Sequence, residues 1–244
     1  MRADDPMTGV NRVLDEGLRS VFPHALAASR DRLADVAIRR DVGPGFLDGA
    51  RSSEPEIMLV LEGHVAVVQR APDGRVAILG LFGPGGLIGL ATIDGVPQAI
   101  ALEALDAVVL AAWPSLMVRE VAERDPGMLL DVVDQLVTRV RGAMFLLERQ
   151  TFATSSMRLA SALLRNEALV FSMEQPRVAR SQVAAFAGVS REMAGRILRR
   201  WERAGIIRRV GQSGLVLVDR QSLEGEAAGA ESLAPRTGLP VEMS

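Results

Sequence analysis

Apolar residues follow three successive rhythms along this 244-residue chain. Over residues 1–20 the sequence is mainly polar, and Leu14, Leu18 and Val21 predict a partly helical segment able to lay one face on a neighbouring domain. From about Ala34 to Ala112 the pattern changes to short alternating apolar runs, at 58–61, 65–69, 76–81, 100–103 and 107–111, punctuated by glycine, proline and aspartate. Such runs predict strands joined by turns, and Ala71-Pro-Asp-Gly-Arg75 is a hairpin signal because Asp-Gly supplies left-handed turn residues. Strands at this spacing predict an antiparallel roll or barrel. After Asp125-Pro126, a good helix start, Leu129, Val133, Leu136, Val140, Ala143 and Leu147 recur at alternating intervals of four and three. That is a coiled-coil seam over nearly three heptads, although spacing alone fits a helix packed on its own domain equally well.

A second helical rhythm marks the stretch from Arg180 to Trp201 as two short helices and a tight turn. Val183 and Ala187 share a face of the first helix, Ala184 is small enough for a close crossing, and Gly188 suits a turn with positive φ. Ser190 is placed to cap the second helix, on which Met193, Ala194, Ile197, Leu198 and Trp201 form one apolar stripe. The opposite side collects Arg191, Glu192, Gly195, Arg196, Arg199 and Arg203. A mixed-sign face is ordinarily a solvated surface. Here the helix-turn-helix pattern, the charges at the helix N-terminus and the gap left by Gly195 favour a surface that meets a DNA groove. Upstream, 156–165 is expected to pack beneath this pair, with a hinge at Thr154-Ser-Ser156. Downstream, 206–210 and 215–218 flank Gly211-Gln-Ser-Gly214 as a wing hairpin on which Arg208 and Arg209 are candidates for phosphate.

Charge changes the picture only when it is counted by segment. The net charge of −2 argues against nucleic acid. Yet residues 155–220 carry 12 arginines against 5 acids, residues 1–154 carry 15 against 21, and the tail from 221 carries 1 against 4. Positive charge is therefore concentrated around the helix-turn-helix, as a phosphate-binding domain requires. The absence of cysteine removes disulfides, thiolate metal sites, iron–sulfur clusters and cysteine nucleophiles together. The acidic N-terminus lacks a following apolar run, and residues 99–113 are broken by Glu103 and Asp106, so a cytoplasmic location without membrane contact is expected. No Ser/His/Asp set or carboxylate pair clusters along the chain, so no enzyme is expected. The Gly, Ala, Glu and Pro-rich tail, 221–244, predicts disorder.

Gly188-Val-Ser-Arg-Glu-Met-Ala-Gly-Arg-Ile-Leu198 resembles the signature of the Crp-Fnr superfamily, the bacterial regulators related to the cyclic AMP receptor protein and the fumarate and nitrate reduction regulator. The resemblance implies that Arg191, Glu192 and Arg196 meet base edges in a TGTGA-type half-site, with Arg180 on phosphate or a guanine. Ser190 and Arg199 complete the expected DNA-binding set. The chemistry agrees, since arginine donates twice to guanine and glutamate accepts from cytosine N4. A departure is Ala179, where the family has a threonine cap. Leu61-Glu-Gly-His-Val-Ala-Val67, Asp73-Gly-Arg75 and Pro84-Gly-Gly-Leu-Ile-Gly89 are similar to landmarks of the cyclic-nucleotide-binding β-roll, which extends the resemblance over roughly 34–223.

The implied architecture is α+β. It comprises an N-terminal segment (1–20), an antiparallel β-roll or jelly roll (21–125), a dimerisation helix (126–153) and a C-terminal winged helix-turn-helix (154–220). With that order the apolar seam on the long helix becomes a homodimer contact, and double-stranded DNA and RNA polymerase are the expected partners. Nucleotide-binding members carry Gly-Glu for the ribose and Arg-Ser for the cyclic phosphate. This chain has Gly89-Leu90 and Gln98-Ala99, and at the positions of the adenine contacts Ala143 and Met144. A phosphate without its arginine loses a charge-assisted contact. Cyclic AMP is therefore not expected, and the pocket takes another ligand or none. Haem, the family's other sensor chemistry, would need His24 or His64, each read more simply as a hydrogen-bonded histidine. The reading from a different class is a small-molecule sensor, for cyclic nucleotide or haem, acting through a protein partner.

Overall fold

A computed structural model describes residues 6–47, 54–70, 76–98, 101–171, 180–210 and 214–229. The chain divides into two units, 1–146 and 147–244. In the first, among the described residues, helices α1 (Pro6–Val21) and α2 (Ala27–Asp35) precede eight strands: β1 (Ile38–Val42), β2 (Gly45–Phe46), β3 (Glu56–Glu62), β4 (Val65–Arg70), β5 (Val76–Phe82), β6 (Leu87–Ile88), β7 (Ala101–Ala104) and β8 (Val108–Pro114). Helices α3 (Ser115–Arg124) and α4 (Pro126–Phe152) follow, α4 running on across the division. The strands form two four-stranded sheets, ordered β1-β8-β3-β6 and β2-β7-β4-β5, antiparallel at every pairing.

The pleat of the central strands explains both cores. On β3, Ile57, Leu59 and Leu61 face α1–α4, where they join Leu18, Phe22, Leu33, Trp113, Val118 and Met128 in one buried cluster. The alternate residues Met58 and Val60 enter a second cluster between the sheets with Val65, Val67, Leu102, Val108 and Leu110. A strand buried on both faces reads as a continuous apolar run, which is why β3 is legible in the sequence. The N-terminal face Leu14, Leu18 and Val21 is buried as its spacing predicts. The apolar pattern does not predict strands β1, β2 and β6. β1 reads Ile-Arg-Arg-Asp-Val, and its pairing with β8 supplies what its pattern lacks. The expected turn at 71–75 lies outside the described residues, although β4 and β5 pair on either side of it.

Buried polar groups lock the entry to α4. Asp125 Oδ1 accepts the N–H groups of Gly127 and Met128 at 3.0 and 3.2 Å, and Oδ2 accepts that of Leu26 at 2.7 Å. Burial pushes the pKa of this carboxyl up, but the donors from Ser29, Leu26, Met128 and Gly127 prevail and hold it below the usual carboxylate range. Asp131 similarly accepts from His24 N at 3.0 Å.

Along α4 the predicted seam is only partly the exposed face. Leu129, Val133 and Val140 are exposed, whereas Leu136 packs against the helix-side core and Val137 takes its place outside. Met144, beside Ala143, is 65% exposed, and the side chain of Leu147 lies outside the described residues. The outward apolar row is thus Leu129, Leu130, Val133, Val137, Val140 and Met144. The physical reason for the correction is that α4 has its own β-roll to cover, and Leu136 is committed there.

The second unit comprises α5 (Ser155–Arg165), α6 (Glu167–Val170), α7 (Arg180–Ala187), α8 (Arg191–Arg203), the antiparallel pair β9 (Ile207–Val210) and β10 (Gly214–Leu217), and α9 (Arg220–Ala228). Two expectations are corrected here. Ser155 and Ser156 are not a hinge but the first turn of α5, because Thr154 Oγ1 accepts the Met157 N–H at 3.3 Å; the helical break is confined to Ala153 and Thr154. Nor is the chain from Gln221 irregular up to 228. Asp219 caps α9 by accepting from Ser222 N at 3.0 Å, and Leu223 is fully buried, an anchoring invisible to composition.

Candidate nucleic-acid interface

The surface that presents charge is built by the turn between α7 and α8. Gly188 adopts φ +60 with open space around its Cα, and Val189 N donates to Ala184 O at 3.1 Å to close the turn. Val183, Ala184 and Ala187 are buried, and Ala194, Ile197, Leu198 and Trp201 bury one flank of α8. Ser190 Oγ accepts the Met193 N–H at 3.2 Å, so the predicted cap is made.

With one flank committed, the other must face outward. Arg191, Glu192, Arg196, Arg199 and Arg203 are all exposed. Arg196 Nη2 donates to Glu192 Oε1 at 2.6 Å, with 59% and 76% of the two side chains exposed. Such an exposed pair one turn apart contributes about 0.3–0.5 kcal/mol, less than the ~1–3 kcal/mol of a good base contact, so it orients the groups without tying them up. Arg191 and Arg199 have no ion-pair partner among the described residues. Arg180 opens α7, but its side chain lies outside the described residues. On the β9–β10 hairpin Arg208 is exposed, while Arg209 sits 3.0 Å from Glu202 and is 27% exposed. Residues 211–213, the tip of the wing, lie outside the described residues.

The effector candidates differ in exposure. Gly89 holds φ +83, and a Cβ there would stand 2.1 Å from Glu56 O, so the backbone alone demands glycine. Leu90 is fully buried in the helix-side core, whereas Gln98, Ala143 and Met144 are exposed. Ala99 lies outside the described residues. A residue the sequence did not single out does meet the β-roll. Arg139 of α4 donates to the Leu87 carbonyl and lies 5.6 Å from the centre of the Phe82 ring. Burial pushes its guanidinium below the usual range, and no carboxylate partner stands near it among the described residues. The sequence did not mark it, since α4 also carries Asp131, Asp134, Gln135 and Arg141. Each histidine engages an aspartate through Nδ1, His24 with Asp131 at 2.7 Å and His64 with Asp106 at 2.9 Å, as the simpler reading has it. No cluster able to hold a metal occurs among the described residues, and none of their helices is long and apolar enough to cross a membrane.

Two family models match, a Crp-like helix-turn-helix domain over 157–226 and a cyclic nucleotide-binding domain over 49–125, together more than half of the chain. The chain is 25% identical over 174 residues to the cAMP-activated global transcriptional regulator Vfr of Pseudomonas aeruginosa, covering 67% of this chain and 81% of that one. Among solved structures it is similar to FixK2 from Bradyrhizobium japonicum (TM-score 0.67, 21% identity, 78% and 96% covered). It is also similar to a transcriptional regulator of the CRP/FNR family from Thermus thermophilus (TM-score 0.63, 26% identity, 79% and 98% covered).

Proposed function

This chain belongs to the Crp-Fnr family of DNA-binding transcription regulators, and from that premise we propose that it reads a palindromic operator as a homodimer. The observation that carries the reading is the outward face of α8: Arg191, Glu192 and Arg196 stand exposed at the capped end of a helix whose other flank is buried. Arg191 and Arg196 donate to guanines and Glu192 accepts from a cytosine in a TGTGA-type half-site. Ser190 and Arg199 serve the sugar–phosphate backbone, which fixes register without reading sequence, and Arg180 meets phosphate or a guanine. Two such helices reach successive major grooves about 34 Å apart only in a dimer. The exposed row on α4 supports that assembly, because apolar side chains of this size at helical spacing otherwise remain in water.

Control is allosteric. A ligand other than cyclic AMP, or no ligand, sets the relation of the paired α4 helices, and the break at Ala153 and Thr154 passes the change to the DNA-binding units. Leu90, Gln98 and the exposed Ala143 and Met144 offer none of the charge-assisted contacts a cyclic phosphate and ribose require. RNA polymerase is the expected protein partner, and the cytoplasm the place of action.

The test is a selection from random duplex DNA followed by competition at fixed moderate salt. The wild type is expected to enrich a symmetric site, and Arg196→Ala to relax choice at one guanine per half-site. Equal enrichment of all sequences by a dimeric wild type would refute base reading and favour a sensor acting through a protein partner. Calorimetry with cyclic AMP at micromolar concentration is expected to show no binding; a clear isotherm would overturn the effector argument.

A further inference from the structure

The C-terminal helix that composition concealed is fastened at three points. Arg220 Nη1 meets Glu167 of α6 at 2.6 Å, Leu223 fills the core, and Gly229 ends the helix at φ +79 where a Cβ would stand 2.9 Å from Met157 Cε. Between these points lies a polar ring. Arg200 Nη2 on α8 donates to Ser156 Oγ on α5 and to Glu226 Oε2 on α9, both at 2.7 Å. Ser156 Oγ in turn donates to Glu226 Oε2 at 2.5 Å. Three elements far apart in sequence thus share one carboxylate: the first turn of α5, the last turn of α8, and α9.

The arrangement bears on how α8 is aimed. The stripe of Ala194, Ile197, Leu198 and Trp201 fixes which flank is inward but resists rotation and tilt only through packing. A directional contact at the far end of α8, nine residues from Arg191, constrains its pitch with the full length of the helix as lever. An arginine on a DNA-binding helix is ordinarily a phosphate contact. Arg200 has two of its donor directions already satisfied within its own unit, and Glu226 neutralises its charge. We propose that Arg200, Ser156 and Glu226 form a positioning clamp through which α9 holds the recognition helix, making residues 219–229 part of the DNA-reading module. The inference rests on the operator reading above, and the clamp sharpens discrimination between operator and other DNA rather than adding a contact to either.

The test uses the full chain carrying Glu226→Ala, Glu226→Asp, Ser156→Ala or Arg200→Ala. Each is titrated stoichiometrically to fix its active fraction, then measured against the selected operator and a scrambled duplex. Glu226→Ala and Arg200→Ala are expected to lower the operator-to-scrambled affinity ratio about fivefold at equal active fraction, with Ser156→Ala smaller and Glu226→Asp partly restoring it. Without DNA, amide exchange in the last two turns of α8 and the first of α5 is expected to quicken in Glu226→Ala while β9 and β10 stay protected. A merely structural loss would reduce the active fraction and leave the ratio intact, which would overturn the clamp. A phosphate contact would show instead as Arg200→Ala weakening both duplexes and lowering the salt slope by about one, with Glu226→Ala tightening both; that too would overturn it. If the wild type showed no operator preference while exchange responded as stated, the operator reading would fall and the mechanical link between α9 and α8 would stand.

Discussion

Gly195→Ala separates stability from DNA reading at a single position. Residue 195 lies mid-way along α8, and a Cβ built there would find only Arg199 Nη1, at 4.0 Å. The free protein has room for it. Alanine in place of a mid-helix glycine stabilises by about 1 kcal/mol, chiefly by restricting the unfolded chain. In a unit of this size that corresponds to a rise of about 4–8 °C in Tm. The same methyl would project into the groove between Arg191 and Arg196, pushing the helix back from the base edges. Losing or lengthening one good base contact costs ~1–3 kcal/mol, so operator affinity is expected to fall about tenfold or more while scrambled DNA, held at the phosphates, is bound nearly as before. Thermal unfolding followed by circular dichroism and fluorescence anisotropy with labelled duplexes read the two effects. A variant that melts higher and binds operator as well as wild type would refute the approach of the α8 backbone to DNA. One that melts lower would refute the open space around residue 195.

Val137→Glu and Leu136→Glu distinguish the outward row of α4 from the predicted seam: the first is expected to give a folded monomer by analytical ultracentrifugation. The second places a charge beside the helix-side core at a partly buried position and is expected to destabilise the first unit by ~1–3 kcal/mol, read as a lower urea midpoint. Asp125→Asn replaces a carboxylate that accepts from Leu26, Gly127 and Met128 by an amide that cannot accept on both sides, and is expected to cost ~1–3 kcal/mol by urea denaturation at neutral pH. Because the folded-state value is depressed, the carboxylate's stabilisation is complete above its unfolded value of about 3.9 and is lost as pH falls through the lower folded value; the variant is expected to flatten that acid limb. Leu223→Ala, at a fully buried site, is expected to destabilise the second unit by ~2–4 kcal/mol, whereas an irregular tail would tolerate it unchanged.

How much the chain discloses in advance depends on how local the deciding physics is. The strand runs at 58–61, 65–69 and 76–81 became β3, β4 and β5 within a residue or two, because alternation is read one strand at a time. The turn at Gly188, the cap at Ser190 and the register of Arg191, Glu192 and Arg196 were equally legible, since each depends on neighbours within one helical turn. Order of motifs then extended local signals to a family, and the family to a fold.

What the sequence could not disclose was decided by partners distant along the chain. The short strand β6 exists because β3 offers it an edge. Heptad spacing treats Leu136 and Val140 alike, yet one covers the β-roll and the other remains outside, because an unsupercoiled helix drifts against a strict heptad and must serve its own core first. Arg139 gained its place from Phe82 and Leu87, more than fifty residues upstream. Helix α9 arose from a buried leucine and a carboxylate shared with Ser156 and Arg200. Residue order along the chain therefore determined which charged face α8 turns outward, and tertiary packing determined how that face is held, since side-chain patterning acts over one turn while burial and charge pairing act across the whole unit.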